Sequence, residues 1–133
     1  MGLILDTSVL IKDEREEFEL AEWLRKRSPE PIGISAITYS ELRVGVEAEK
    51  NPVRTRQRRR WFSKALRRME IVPFDSRVAL THARLWAILA EAGQMVGPYD
   101  LIIGATAVYR EWSVVTFNAR EFRRIQDLDV IEP

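Results

Sequence analysis

The sequence of 133 residues contains no cysteine and a single histidine, His82. Without thiols there is no disulfide, no thiolate nucleophile and no Cys-ligated zinc or iron–sulfur centre. One imidazole leaves no material for a His-rich metal site and argues against a His-dependent catalytic triad. No apolar run reaches the roughly 18–20 residues needed to span a bilayer. The opening stretch carries no basic residue ahead of its apolar ones and is broken at Asp6, so it does not read as a secretory signal. The expected setting is therefore cytoplasmic, with no membrane partner. At 46% hydrophobic and 31% charged residues the chain is too apolar to be disordered, and its length suits one domain over residues 1–133. Its chemistry must come from carboxylates, hydroxyls and amides.

What the sequence has in abundance is locally unbalanced charge. Lys50 to Arg68 holds nine basic residues (Lys50, Arg54, Arg56, Arg58, Arg59, Arg60, Lys64, Arg67 and Arg68) and no acid. The remainder has 12 basic against 20 acidic residues, a net charge of −8. One face thus suits a polyanion, and Arg58, Arg59, Arg60 and Lys64 are the candidate contacts for a phosphate backbone. A solvated helix face is the plainer reading of the same segment.

Secondary structure alternates along the chain. Met1–Leu5 reads as a buried strand, Thr7–Lys12 opens a first helix, and Glu14–Arg27 places Phe18, Ala21, Trp23 and Leu24 at helical spacing before Ser28-Pro29-Glu30-Pro31 breaks it. Ile32–Ile34 is a second strand, and Ser35 caps a helix running through Glu41 toward Glu49. Asn51-Pro52 starts the basic helix 52–69, whose apolar stripe is Trp61, Phe62, Ala65, Leu66 and Met69. Packing is preferred for Trp61 and Phe62 over base stacking. Glu70–Phe74 is a third strand that Pro73 ends or marks as an edge. Asp75 or Ser76 caps a helix with Val78, His82, Leu85, Trp86 and Leu89 on its inner face, and Gly93 closes it. His82 is assigned to packing. A very apolar helix runs from Asp100 to about Trp112, followed by a strand at Ser113–Thr116, a short helix within Asn118–Ile125 and a last strand at Leu128–Ile131. This alternation predicts an α/β fold with a short-stranded, mainly parallel central sheet.

In such sheets working residues collect where strands end at their carboxyl termini. Asp6 ends the first strand, Glu41 lies in the helix after the second, and Asp100 opens the apolar helix. Singly, each has a structural explanation as an N-cap or an exposed acid. Together, three carboxylates at one sheet end repel one another, and Mg²⁺ or Mn²⁺ resolves the repulsion because these hard cations prefer oxygen donors. Such an ion can polarise a phosphodiester and activate water without histidine or cysteine.

Four segments then resemble the signature blocks of PIN-domain ribonucleases, and more narrowly those of VapC toxins from VapBC toxin–antitoxin modules. They are Leu5-Asp6-Thr7-Ser8-Val9-Leu10-Ile11, Ser40-Glu41-Leu42-Arg43-Val44-Gly45, Gly97-Pro98-Tyr99-Asp100-Leu101-Ile102-Ile103-Gly104-Ala105 and Val115-Thr116-Phe117-Asn118-Ala119-Arg120-Glu121-Phe122. The likeness covers essentially the whole chain in the right order. The Gly-Pro-Tyr-Asp block resembles the VapC branch that cleaves the anticodon stem-loop of initiator tRNA.

The resemblance implies a PIN-like three-layer α/β/α sandwich and a Mg²⁺-dependent endoribonuclease, with tRNA as the favoured substrate. Asp6 and Asp100 would be the principal metal ligands, directly or through water, and Glu41 would complete the acidic set. Ser8 and Thr116 would offer hydroxyls to water or to the scissile phosphate. Where many relatives carry a fourth acid, this chain has Asn118, with Glu121 three residues on as the substitute carboxylate. The expected partners are RNA, a VapB-type antitoxin in a toxin–antitoxin hetero-oligomer, and a second copy in a homodimer. A non-catalytic nucleic-acid-binding domain using helix 52–69, and a PIN nuclease acting on another RNA or on DNA, are the competing readings. A haloacid-dehalogenase-type phosphoryl transferase would need an acid where Ser8 stands.

Overall fold

The computed structural model describes residues 1–27 and 29–133. Five short strands, β1 (Leu3–Leu5), β2 (Ile32–Ser35), β3 (Glu70–Val72), β4 (Ser113–Val115) and β5 (Val130–Ile131), form one sheet in the order β3-β2-β1-β4-β5. Every pairing is parallel, so the mainly parallel sheet expected from the sequence is parallel throughout. The helices are α1 (Thr7–Glu14), α2 (Leu20–Arg25), α3 (Ala36–Glu47), α4 (Pro52–Leu66), α5 (Ser76–Ala92), α6 (Pro98–Arg110) and α7 (Ala119–Phe122).

β1 is the central strand and is buried on both faces. Because successive side chains alternate across a strand, Ile4 points to one side and Leu3 and Leu5 to the other. Ile4 and Val114 join a core completed by Val78, Leu85 and Leu89 of α5, Leu101 and Ile103 of α6, and Phe122 of α7. Leu3, Leu5 and Val115 join the opposite core with Val9 and Leu10 of α1, Leu20 of α2, Leu42 and Val46 of α3, and Phe62 of α4. This is the three-layer sandwich that the family resemblance implies. A parallel sheet requires crossover connections, which return every strand in the same direction and gather all the strand carboxyl ends on one edge.

Several elements depart from the sequence expectation. Spacing predicts a helix over Glu14–Arg27, but helix resumes only at Leu20. The Asp13 carboxylate accepts a hydrogen bond from the Leu20 backbone N–H at 3.0 Å, and Glu16 sits at φ 59°, which together turn the chain sharply between α1 and α2. The expected break at Ser28–Pro31 includes Ser28, which lies outside the described residues. Strand β3 stops at Val72, before Pro73, and is an edge of the sheet. Trp86, placed on the inner face of its helix by spacing, is 52% exposed. It lies at the margin of the Val78–Leu85–Leu89 stripe, beyond the reach of the sheet. His82 is half-buried and packs edge-on against Phe74, with centroids 5.6 Å apart. The helix expected from Asp100 begins at Pro98, with Gly97 in the N-cap position.

The caps expected at Ser35 and Asp75 form, and Asn51 adds a third. The Ser35 hydroxyl accepts from the Ile37 N–H at 3.2 Å, Asn51 accepts from Val53 and Arg54, and Asp75 accepts from Arg77 and Val78. Gly93 ends α5 at φ 64°, the left-handed conformation glycine adopts without cost. No helix among the described residues is long and apolar enough to cross a membrane.

Candidate active site

The carboxyl edge of the sheet brings together residues that are far apart in sequence. Asp6 follows β1 and is buried. It occupies the N-cap position of α1, yet its side chain caps nothing. Its Oδ2 instead accepts from Ser8 Oγ at 2.7 Å and from Thr116 Oγ1 at 2.7 Å. The strand pairing makes this possible, since the Asp6 N–H donates to the Val115 carbonyl and sets the two strand ends side by side. Two hydroxyl donors on one oxygen hold the carboxylate in a single orientation.

Glu41 lies in the second turn of α3. Its Oε1 accepts from Thr7 Oγ1 at 2.7 Å, and Thr7 Oγ1 is in turn 3.0 Å from the buried hydroxyl of Thr38. The spacing rules that suggest Glu41 do not reveal this pair of hydroxyls. The signal is present in two forms: Thr7 directly follows the strand-ending acid, and Thr38 sits three residues before Glu41, on the same helical face.

Asp100 is the third residue of α6, and Glu121 reaches it from α7. Both carboxylates lie beside Gly97, where a Cβ would stand 3.4 Å from Asp100 Oδ2 and 3.7 Å from Glu121 Oε2. The Gly97 N–H donates to Glu121 Oε2 at 3.3 Å. Burial pushes the Asp100 carboxyl up to about 7, helped by the hydrogen bond to Glu121 and by the negative charges of Asp6, Glu121 and Glu41. Glu121 moves the other way, because it accepts the Asp100 proton and the Gly97 N–H. Of the two acids, Asp100 is thus the one that holds a proton more readily and Glu121 the one that favours its charge. One helical turn thus brings the substitute acid to the site, while Asn118 is exposed at the head of α7. What joins the network there is the Asn118 backbone N–H, which donates to Thr116 Oγ1 at 2.8 Å.

Four carboxylates acting on one another need a counter-charge. Among the described residues none of the ion pairs involves Asp6, Glu41, Asp100 or Glu121. The donors are all oxygen, the kind a hard divalent cation prefers over softer metals. Among the described residues, no three acids stand close enough to close around one ion in this arrangement. A divalent ion at this edge would supply the positive charge that the cluster lacks. In kind and in charge, the residues fit Mg²⁺ or Mn²⁺.

The basic segment folds as α4 against α3, and its cations divide into two groups. Arg58 is held internally, 3.4 Å from Glu49 and 3.8 Å from Glu14. A side chain at Gly45 would meet Arg58 Nη1 at 2.9 Å, so glycine lets the guanidinium lie on α3. Arg59, Arg60 and Lys64 are exposed. Trp61 packs at the core margin and donates its indole N–H to Asp13 Oδ2 at 3.0 Å, in keeping with the packing assignment. Between α1, α3 and α4 lies a groove of about 670 Å³, lined by Asp13, Glu14, Gly45, Arg58 and Trp61 and reaching Glu41. Asp6 and Asp100 do not line it; the groove leads up to the acidic site from one side.

Comparison with known proteins agrees with this arrangement. The sequence matches the PIN domain family over residues 3–128. It is 31% identical to Ribonuclease VapC1 of Rickettsia felis over 131 residues, covering 98% of this chain and 96% of the relative. It is 34% identical to the tRNA(fMet)-specific endonuclease VapC of Shigella flexneri over 135 residues, covering 96% and 95% of the two chains. Among solved structures, the fold is similar to that of DNA-bound VapBC from Salmonella typhimurium. There the TM-score is 0.87 at 30% identity, with 99% of this chain and 98% of the other covered.

Proposed function

The chain belongs to the PIN-domain family and, within it, to the VapC ribonucleases of toxin–antitoxin modules, and on that footing we propose a divalent-metal-dependent endoribonuclease that cleaves tRNA and is neutralised by a VapB-type antitoxin. The observation that carries the reading is the gathering of Asp6, Glu41, Asp100 and Glu121 at the carboxyl edge of the sheet with no ion-paired cation among the described residues. Asp6, Asp100 and Glu41 would hold the ion, with Glu121 beside them. A bound Mg²⁺ or Mn²⁺ supplies charge stabilisation to the phosphodiester and lowers the pKa of water.

The chain's own groups do the rest. Ser8 and Thr116 lock Asp6, while Thr7 occupies Oε1 of Glu41 and leaves Oε2 turned to the ion and its water. In-line attack forms a bond from the water oxygen to phosphorus and breaks the bond to O3′; the water gives up its proton to the carboxylate cluster and the departing O3′ takes one from solvent. The products are a 5′-phosphate and a 3′-hydroxyl. The name of the Shigella flexneri relative supports tRNA as the substrate, and the Gly97–Asp100 block that resembles that branch lies at the site. Solved relatives assembled as VapBC support an antitoxin partner, and a homodimer belongs to the same reading.

Purified chain incubated with total RNA and Mg²⁺, followed by mapping of cleavage ends, tests this reading. Discrete cuts carrying 5′-phosphates are expected; intact RNA overturns it. A related prediction concerns α4. Replacing exposed Arg59, Arg60 and Lys64 with Ala should weaken RNA affinity at low salt and make the salt slope shallower by about one for each phosphate no longer neutralised. Arg58→Ala should add a loss of thermal stability, since Glu14 and Glu49 lose their shared partner. An unchanged salt slope in the triple variant would remove α4 from the RNA path.

A further inference from the structure

Phe117 belongs to neither core, and its backbone stands next to the residues that hold Asp6. It stands in the loop directly after β4 and is 38% exposed. Its backbone N–H donates to Ser8 Oγ at 3.2 Å, and Ser8 in turn holds Asp6. The next residue's N–H binds Thr116 Oγ1, the other hydroxyl on Asp6. The backbone that carries the ring is therefore tied, through two short hydrogen-bond chains, to the carboxylate assigned to the ion.

The ring's surroundings fix its orientation without covering it. Phe18 lies nearly perpendicular to it at 82°, with centroids 5.1 Å apart, and Phe18 is followed by Trp23 at 6.4 Å. Lys12 Nζ stands 5.2 Å from the centroid of Phe117. That ammonium belongs to a long, half-exposed side chain paired at 3.4 Å with half-exposed Glu17. Surface pairs of this kind hold weakly, and an exposed cation over a ring is a weaker partner than a stacked base. The local turn is acidic, with Glu16 and Glu17, so the ring rather than charge is the attractive feature here.

We propose that Phe117 is a stacking platform for the unpaired nucleobase next to the scissile phosphate, with Lys12 swinging off the ring toward the RNA backbone. This rests on the ribonuclease reading and deepens it by assigning a subsite. Stacking tolerates any base but requires one that is splayed out of a helix, which directs cleavage to loops and away from paired stems.

The test uses a hairpin RNA that the wild type cleaves in Mg²⁺, together with versions carrying one abasic ribose on either side of the cut. Phe117→Leu keeps an apolar side chain against Phe18 but lacks a flat face, and Phe117→Trp restores one. Phe117→Leu is expected to lower kcat/KM on the order of 10-fold, mainly through KM, and Phe117→Trp to retain it. An abasic ribose at one flanking position should cost the wild type a similar factor and cost Phe117→Leu almost nothing further, as coupled partners require. A simple loss of folding would lower the activity on every substrate alike and leave the abasic penalty intact. Wild-type kinetics in Phe117→Leu, or an abasic penalty undiminished in that variant, overturns the subsite while leaving the nuclease standing. Wild-type protein that cleaves no RNA overturns both.

Discussion

Asp100→Asn is expected to lower RNA cleavage on the order of 10³-fold while making the metal-free protein more stable above pH 7. Asparagine matches aspartate in size and keeps the third position of α6, so the fold has no reason to change. It cannot supply an anionic oxygen to a divalent ion, and the loss falls on turnover. The gain in stability has the same origin. Asp100 is half-buried among Asp6, Glu41 and Glu121, and its ionisation sets like charges against one another in a partly desolvated place. A neutral amide removes that repulsion. Single-turnover cleavage and thermal melting of the same two preparations provide the check. Equal cleavage by both proteins would end the metal-nuclease reading, and a lower melting temperature in Asp100→Asn would show that its carboxylate is stabilised by something other than a cation.

Removal of divalent ions should produce the second large effect, a change in the sign of the pH dependence of stability. In the metal-free protein the Asp100 carboxyl is raised from 3.8 to about 7. Between those values the folded chain holds a proton that the unfolded chain has released. Unfolding then liberates protons, so stability is fully present below the ordinary aspartate range and is lost as the pH rises through about 7. Partial exposure screens the effect, and a loss of about 1–2 kcal/mol between pH 5 and 8 is the expected size. Glu121 is shifted the opposite way, so its contribution is lost only as the pH falls through the acidic range, outside this window. Saturating Mg²⁺ or Mn²⁺ should flatten or reverse the decline, because the ion competes with the proton and binds best when Asp100 is ionised. Denaturant titrations at pH 5, 6.5 and 8, with EDTA or with the ion, measure this directly. A metal-free protein of constant stability across that range, or one indifferent to the ion at pH 8, would mean that the carboxylates are further apart in solution than they stand here.

The extent to which the site is legible differs from residue to residue. Asp6 is readable because a buried apolar strand ends on it, and Asp100 because it stands at the head of a helix too apolar to be exposed. Glu41 is weaker, a single acid on a half-buried helix, and its meaning comes from the other two. Asn118 and Glu121 illustrate the limit. Sequence spacing offers both as successors to the missing fourth acid, and only the turn of α7 brings Glu121 to Asp100 while leaving Asn118 exposed. The basic segment is visible as a charge run, yet its division is not. Arg58 spends its charge on Glu14 and Glu49, while Arg59, Arg60 and Lys64 remain exposed.

The order of residues alone determined the alternation of strands and helices, the caps at Ser35 and Asp75, and the family. These depend on periodicity and on contacts within a few positions along the chain, which a linear text displays. Only the tertiary structure decided which charges meet and which are answered. Thr116 reaches Asp6 across 110 positions and Thr7 reaches Glu41 across 34, because parallel crossovers return each strand to the same edge. Electrostatic and hydrogen-bond energies follow distance and burial in space. Separation along the chain does not encode either, so the acids were nameable beforehand, whereas the meeting of Asp100 and Glu121 beside Gly97 was not.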